Sequence, residues 1–397
     1  MKNNRTFLEK LLDGAEVEWK TLDEISSIYG GLTGKGKADF ENGNALYVPY
    51  KNIFNNIEVD FNNLETVNVS DDEKQYTIKY GDVLFTGSSE TAEEAGMSSA
   101  VTTKTEQKIY LNSFSFGLRF NDDVELLPEF SKFLFRTLSI RKEIVKSASG
   151  VTRFNISKAR FKKIKIPIPP LSVQTEIVKI LDALTALTSE LTSELILRRK
   201  QYEYYREKLL SEEELGKVGF EWKPLGEVTN IKTGQAVSKY AISQNPGIYP
   251  VINSGREPLG FINKWNTEND PIGITTRGAG VGSITWQEGK YFRGNLNYSV
   301  TIKSDCKLNV RFLYHILLHF QKEIHNLCSF TGIPALNTSE LKKLEISIPA
   351  IEEQQRIVSI LDKFEALTNS ISEGLPLAIE QNQKRYEYYR ELLLNFS

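Results

Sequence analysis

Hydrophobic positions step by three and four over Ile177, Ile180, Leu184, Leu187 and Leu191, and the step resumes at Leu195, Tyr202, Tyr205 and Leu209 after a four-residue shift near Leu191. That spacing predicts a helix with a coiled-coil seam, and the shift is a stutter in it. Pro169 and Pro170 bar helix to their N-terminal side, so the helix is predicted to start near Pro170 and run about 40 residues, some 60 Å. The same step returns at Ile357, Ile360, Phe364, Leu367 and Ile371, then meets Gly374 and Pro376, a pair that predicts a kink or break. Elsewhere the pattern alternates, as in Ser113-Phe114-Ser115-Phe116, Ile248 to Ile252 and Ser299-Val300-Thr301-Ile302, which predicts twisted antiparallel sheet. An amphipathic helix is expected after each alternating region, over 127–147 and 310–327.

These elements occur twice. Residues 166–188 align without gaps on 346–368, offset by 180, with 12 identities in 23 positions. Both copies carry an Ile-x-Ile-Pro lead, a glutamine (Gln174, Gln354) and Ile-x-x-Ile-Leu-Asp. Tyr202-Glu-Tyr-Tyr-Arg-Glu207 recurs as Tyr386 to Glu391 at an offset of 184, so the second copy has gained four residues, about one helical turn. Glu18-Trp19-Lys20 resembles Glu221-Trp222-Lys223, and Glu9-Lys10-Leu11-Leu12 before the first matches Glu207 to Leu210 before the second. Each tail helix therefore leads into a Glu-Trp-Lys start. This cyclic order predicts termini that lie close together, with 1–13 docking near the C-terminal helix, and two seams that bury each other as an antiparallel pair. The fold class expected is α+β: two mixed, β-rich domains joined by two long antiparallel coiled-coil helices in a pseudo-two-fold cyclic repeat.

Composition narrows the class. With 397 residues, 40% hydrophobic and 25% charged, the chain is expected to be globular and to hold two or three domains. No apolar run reaches the length of a membrane helix, and no secretory segment follows the N-terminus, so a cytoplasmic location is expected. Two cysteines fit a reducing compartment. The net charge of −2 hides an uneven distribution: 131–165 holds eleven Lys or Arg against one acid, whereas 14–130 holds nine against 21. The basic run is either a solvated helix face or a phosphate-binding surface.

Candidate chemistry is thin. Gly30 to Gly36 misses the spacing of a phosphate loop, and Arg277 to Gly282 misses that of a dinucleotide loop. His315 and His319, with His325 and Cys328, could gather zinc, but with no glutamate after His315 and no paired cysteines a packed or solvated helix face accounts for them better. Neither a nucleophile elbow nor a methyltransferase motif is present, and the chain is expected to perform no chemistry alone.

Taken together, the duplicated Ile-x-Ile-Pro…Gln…Ile-x-x-Ile-Leu-Asp helix, the Tyr-Glu-Tyr-Tyr-Arg tails and the Glu-Trp-Lys-x-Leu starts resemble the specificity subunits of Type I restriction-modification enzymes over essentially the whole chain. The resemblance implies two target-recognition domains, at 14–165 and 217–345, each reading half of a split site in double-stranded DNA. It also implies that helices at 166–216 and 346–397 act as a ruler on which two methyltransferase subunits dock, with restriction subunits able to join. This chain would bind no cofactor; S-adenosylmethionine would sit on the methyltransferase. For DNA contact the residues expected are Asn52, Ser88, Ser89, Arg153 and Asn155, with Lys158, Arg160, Lys162 and Lys163 of the basic run, and in the second domain Asn253, Arg256, Arg277, Arg293 and Asn295. Thr188-Ser-Glu-Leu191 followed by Thr192-Ser-Glu-Leu195 is a tandem tetrapeptide at the stutter, the expected place for the ruler to gain or lose turns. The reading that competes is a two-headed adaptor with no DNA role.

Overall fold

The computed structural model describes residues 7–255, 257–370 and 373–396. The chain forms two compact units. One takes in the chain up to Glu190 and again from Ile379; the other is Leu191–Ala378.

In the first unit a four-stranded antiparallel sheet has the order Ser26–Gly30, Ser115–Phe120, Val83–Thr86, Ser98–Ala100. The second unit repeats it as Thr229–Thr233, Asn297–Ile302, Ile272–Thr275, Ile284–Trp286. Beside each lies a second sheet that contains a parallel pair, Ala45–Val48 with Ile109–Leu111 and Pro246–Ile252 with Lys290–Arg293. The alternating run at Ile248 to Ile252 is thus a strand as expected, but pairs parallel on one side and antiparallel, with Phe261–Ile262, on the other. Parallel strands need a long crossover, and here two of the four main-sheet strands lie between the partners in sequence in each unit. One strand also begins two residues later than expected, at Ser115: Phe116 is buried in it, while Phe114 stands 62% exposed on the preceding turn.

The duplicated motifs turn out to be the joints of the fold. Glu18–Thr21 pairs with Lys165–Ile168, setting Trp19 against Pro167, and Phe220–Pro224 pairs with Glu345–Pro349, setting Trp222 against Ser347. The Glu-Trp-Lys starts and the Ile-x-Ile-Pro leads are thus two sides of one ladder that closes each domain. Gln174 and Gln354, both fully buried, clamp it. Gln174 Oε1 accepts from Leu127 N (2.8 Å), and its amide donates to Glu125 O and Pro169 O (both 2.8 Å). Gln354 does the same for Asn309 N (2.8 Å), Lys307 O (3.3 Å) and Pro349 O (2.9 Å).

Each expected closing helix is two helices, Pro128–Leu134 with Leu138–Ser147, and Val310–His319 with Gln321–Asn326. In the first unit the break frees Arg136, whose guanidinium reaches into the domain to the carbonyls of Ile53 (3.0 Å) and Asn56 (3.1 Å).

A single helix spans Leu171–Leu209, 39 residues. The second tail is broken into Ile351–Asn369 and Gly374–Leu393. Gly374 has φ +77°, and a Cβ there would come within 2.6 Å of Ala366 O, so the turn into the last helix needs glycine. Ile371 of the expected seam lies outside the described residues.

The seam itself is only part of the packing. Ile177 and Leu181 are fully buried against the first domain, and Ile357 and Leu361 against the second, whereas Leu187 is 41% exposed. The helices carry two apolar stripes, and a single periodicity registers only one. In the first unit the other stripe meets the last helix, where buried Asn382 donates to Leu184 O (2.7 Å) and Thr188 Oγ1 (2.8 Å). In the second unit Tyr205 stacks on Phe364 at 5.4 Å.

The Tyr-Glu-Tyr-Tyr-Arg segments explain themselves as anchors. Tyr202 packs edge-on against His315 of the second domain under Arg206, and Tyr386 packs against Phe133 of the first under Arg390. In the first unit Leu8 is buried in the same cluster as Leu393 and Leu394.

Candidate nucleic-acid interface

Ala148–Ser149 and Phe154–Ile156 form a hairpin whose second strand also pairs with Ser88–Ser89, setting Asn155 opposite Ser88 and Phe154 opposite Ser89. Gly150 makes the turn possible, since a Cβ there would fall 1.9 Å from Arg153 O. Ser88 and Ser89 are buried at the floor of a cavity of about 510 Å³, with Arg153, Phe114, Tyr50 and Lys51 around it. The Arg153 guanidinium lies 5.8 Å from the Phe114 ring centre. Phe114 is held in place by its own turn: its N–H donates to Asn112 Oδ1 (3.0 Å), and its carbonyl accepts from Gly87 N (2.8 Å).

The second domain has the same arrangement with other side chains. Ser329 bridges Ala335 and Ala335 bridges Arg277, where the first domain pairs Ser149 with Asn155 and Asn155 with Ser88. The hydrogen bond from Ile156 N to Gly87 O (3.0 Å) is matched by Leu336 N to Thr276 O (2.8 Å). At the hairpin tips Val151 is 91% exposed, and Phe330 and Ile333 are 54% and 70% exposed.

Several expected contact residues are therefore brought together and others are not. Ser88, Ser89 and Arg153 line one cavity, with Asn155 exposed on the adjoining strand. Asn52 is withdrawn: it is buried, donates to Asp60 O (2.8 Å) and Asn63 O (2.9 Å), accepts from Asp60 N (3.0 Å), and so fixes the loop after its helix. Arg293 is withdrawn as well. Only 3% exposed, it donates to Asn297 Oδ1 (2.6 Å), Tyr298 O (3.0 Å), Asp270 O (2.7 Å) and the Tyr291 hydroxyl. Burial also holds its guanidinium pKa below the usual value. Asn253 is half-buried and accepts from Leu296 N (3.0 Å), shaping the loop on which Asn295 stands exposed. Arg277 is exposed, and Arg256 lies outside the described residues.

The basic run also changes meaning. Lys132 is buried between Glu58 and Asp182, and Arg136 and Arg141 spend their donors on backbone carbonyls inside the domain, with burial lowering both pKa values to about 10. Lys162 pairs with Asp23 (2.9 Å), and Arg160 binds the carbonyls of Lys146 and Ala148 (both 3.3 Å). Arg153, Lys158 and Lys163 stay exposed with no hydrogen bond or ion pair from their side chains among the described residues. Much of the local charge is scaffolding.

The histidines do not gather with Cys328. His315 faces Asp362 Oδ1 (2.8 Å), His319 faces Glu207 (2.7 Å), and His325 lies against Phe330. Asp362 and Glu365 come near His315, but the Arg311 guanidinium already bridges both carboxylates at 2.6 and 2.7 Å, which fills the place a metal ion would take. Sequence reasoning missed Tyr50, Lys51, Phe114, Phe330 and Ile333. Carrying the offset of 180 upstream through the two hairpins would have exposed the last two.

The model of the Type I restriction modification DNA specificity domain matches this chain twice, over residues 15–198 and 217–381. The chain belongs to that family. Among similar members, a Haemophilus influenzae protein assigned as a type I restriction enzyme specificity subunit is 39% identical over all of both chains. The EcoR124I/EcoR124II specificity subunit of Escherichia coli is 34% identical over 98% of this chain and 97% of its own. The crystal structure of the Mycoplasma genitalium S subunit shares the fold at a TM-score of 0.56 and 19% identity, covering 97% of this chain and 98% of that one. One matched segment falls on each copy of the domain-and-helix repeat. Among the described residues no helix is long and apolar enough to cross a membrane.

Proposed function

We propose that this chain is the DNA-reading subunit of a Type I restriction-modification enzyme: each domain reads one half of a two-part target, and the helices set the distance between the halves. The observation that carries the reading is the hairpin built twice on the same backbone ladder and furnished differently each time, with Ser88, Asn155 and Arg153 in one domain and Arg277, Ala335 and Ile333 in the other. Equal scaffolds fit a two-fold duplex, and unequal linings fit an asymmetric sequence. The contacts of Asn382 with Leu184 and Thr188, and of Tyr205 with Phe364, support an antiparallel coiled coil as the ruler. Thr188, Leu191, Thr192 and Leu195 then lie on the spacer helix, with Leu191 and Leu195 half-buried.

Two methyltransferase subunits dock on the helices in this reading. Pairs of neighbouring rings, Tyr204 with Tyr205 and Tyr388 with Tyr389, offer each the same exposed surface. The chain is non-catalytic, S-adenosylmethionine binds the partner, and the complex works in the cytoplasm, joined by restriction subunits where these are made. Mapping methylated bases across the genome of a host carrying this chain and its methyltransferase tests the proposal. A motif of two unrelated blocks separated by an unread spacer is expected. Methylation without such a motif, or no DNA shift by the assembled complex, would favour a protein adaptor instead.

A further inference from the structure

Eleven of the fourteen arginines among the described residues place their guanidinium in a hydrogen bond or ion pair within the protein; Arg153, Arg277 and Arg385 do not. Arg385 lies on the last helix. The other two fall on the same point of the duplicated fold. In the first domain the hairpin supplies Arg153, and the strand it pairs with supplies Ser88. In the second the hairpin supplies Ile333 at the position matching Arg153, and the strand supplies Arg277 at the position matching Ser88, opposite Ala335. Each hairpin ladder thus carries one guanidinium with no hydrogen bond or ion pair among the described residues, supplied from opposite sides of an equivalent bridge.

We infer that Arg153 and Arg277 are the equivalent specificity-determining residues of the two domains, and that each reads a guanine in its own half-site. The assignment rests on the two-part reading proposed for the chain. A planar guanidinium fork matches the O6 and N7 acceptors that guanine shows in the major groove, and no other single base edge there offers two acceptors. A phosphate contact needs only charge, and long mobile lysines supply that elsewhere on the domain. These two arginines are instead built into a rigid place. Arg153 sits beside a fixed Phe114 ring and comes just after the tight turn at Gly150. The backbone at Arg277 is pinned by its bridge to Ala335 and by Gly278 N donating to Pro334 O (3.0 Å). An exposed apolar side chain on each hairpin, Val151 or Ile333, stands where a thymine methyl or sugar would complete the contact.

The experiment maps methylated motifs by single-molecule sequencing in cells carrying the full chain with its methyltransferase, for the natural sequence, Arg153→Ala and Arg277→Ala. With Arg153→Ala one guanine in one half-site should become degenerate, discrimination at that base falling about 10- to 100-fold, while the other half-site is unchanged. Arg277→Ala should do the same to the other half-site. Methylation lowered evenly over all sites would make these phosphate contacts and overturn the assignment. So would a half-site that contains no guanine, or loss of co-purification with the methyltransferase, since neither guanidinium makes a hydrogen bond or ion pair among the described residues. A natural chain with no two-part motif would sink the underlying reading and this assignment together; a two-part motif that neither variant relaxes would sink this assignment alone.

Discussion

Replacing Gln174 by alanine would strand three backbone groups at once, the Leu127 N–H and the carbonyls of Glu125 and Pro169. Each buried group left without a partner costs roughly 1–3 kcal/mol, so Gln174→Ala should lower stability by about 3 kcal/mol or more, and Gln354→Ala should do the same. Urea denaturation of the purified complex checks both; a loss under about 1 kcal/mol would show that water reaches the site. Arg293→Ala should likewise destabilise by about 3 kcal/mol because it empties a buried donor network, yet leave the methylated motif intact in the fraction that still folds. A changed motif would return Arg293 to the reading surface. At this scale the sequence distinguished residue types well and places poorly. Asn52 and Arg293 have side chains suited to base edges, but orientation on a short helix or strand, invisible in composition, turns both inward. Ser88 and Arg277 were chosen as loop polars and lie at equivalent bridges only because the fold puts them there.

Among the elements, the helices were the most legible, since a long run of three-four steps between prolines and glycine permits little else. The pattern hid the division of labour between two stripes, one against the domain and one against the partner helix. Asn382 sits in the second stripe. A buried asparagine between helices fixes register at some cost in stability. Asn382→Leu is therefore expected to keep or raise the melting temperature while letting the tail slip, read as methylated sites with more than one spacer length; a single spacer would show that register is set elsewhere. The tandem Thr-Ser-Glu-Leu repeat tests the ruler directly. One more copy lengthens the helix by about 6 Å and turns its C-terminal remainder about 40° past a full turn. A base pair advances about 3.4 Å and turns about 34–36°. Rotation argues for one added base pair and translation for nearly two. One is expected, because facing the groove matters more than a reach that loops can absorb. Chains with one, two and three copies should keep both half-sites while the spacer steps with copy number, and an unchanged spacer would remove the helix from that role.

For the whole molecule, duplication is the most telling signal: the segments repeated at offsets of 180, 184 and 203 are the joints of the fold. The parallel pairings escaped because they join strands far apart in sequence, beyond any local window. Modularity is a consequence of the closing ladders. Exchanging 14–165 for the corresponding domain of a relative should change one half of the target and leave the other; a change in both, or in neither, would refute two independent readers.

The anchoring tyrosines cross between the repeats. Tyr202 belongs to the tail of the first repeat but is buried with the second domain, and Tyr386 belongs to the tail of the second repeat but packs on the first. A domain produced with only its own tail would leave its anchor site bare and its anchor unhoused. Two such half-length chains would each hold what the other lacks, and exchange of tails would rebuild the missing surfaces in trans. Residues 14–216 made alone should thus run as a homodimer in analytical ultracentrifugation and, with methyltransferase, mark a palindrome. In that light the present chain holds in one polypeptide the two halves of such a dimer, and the two halves need not be alike.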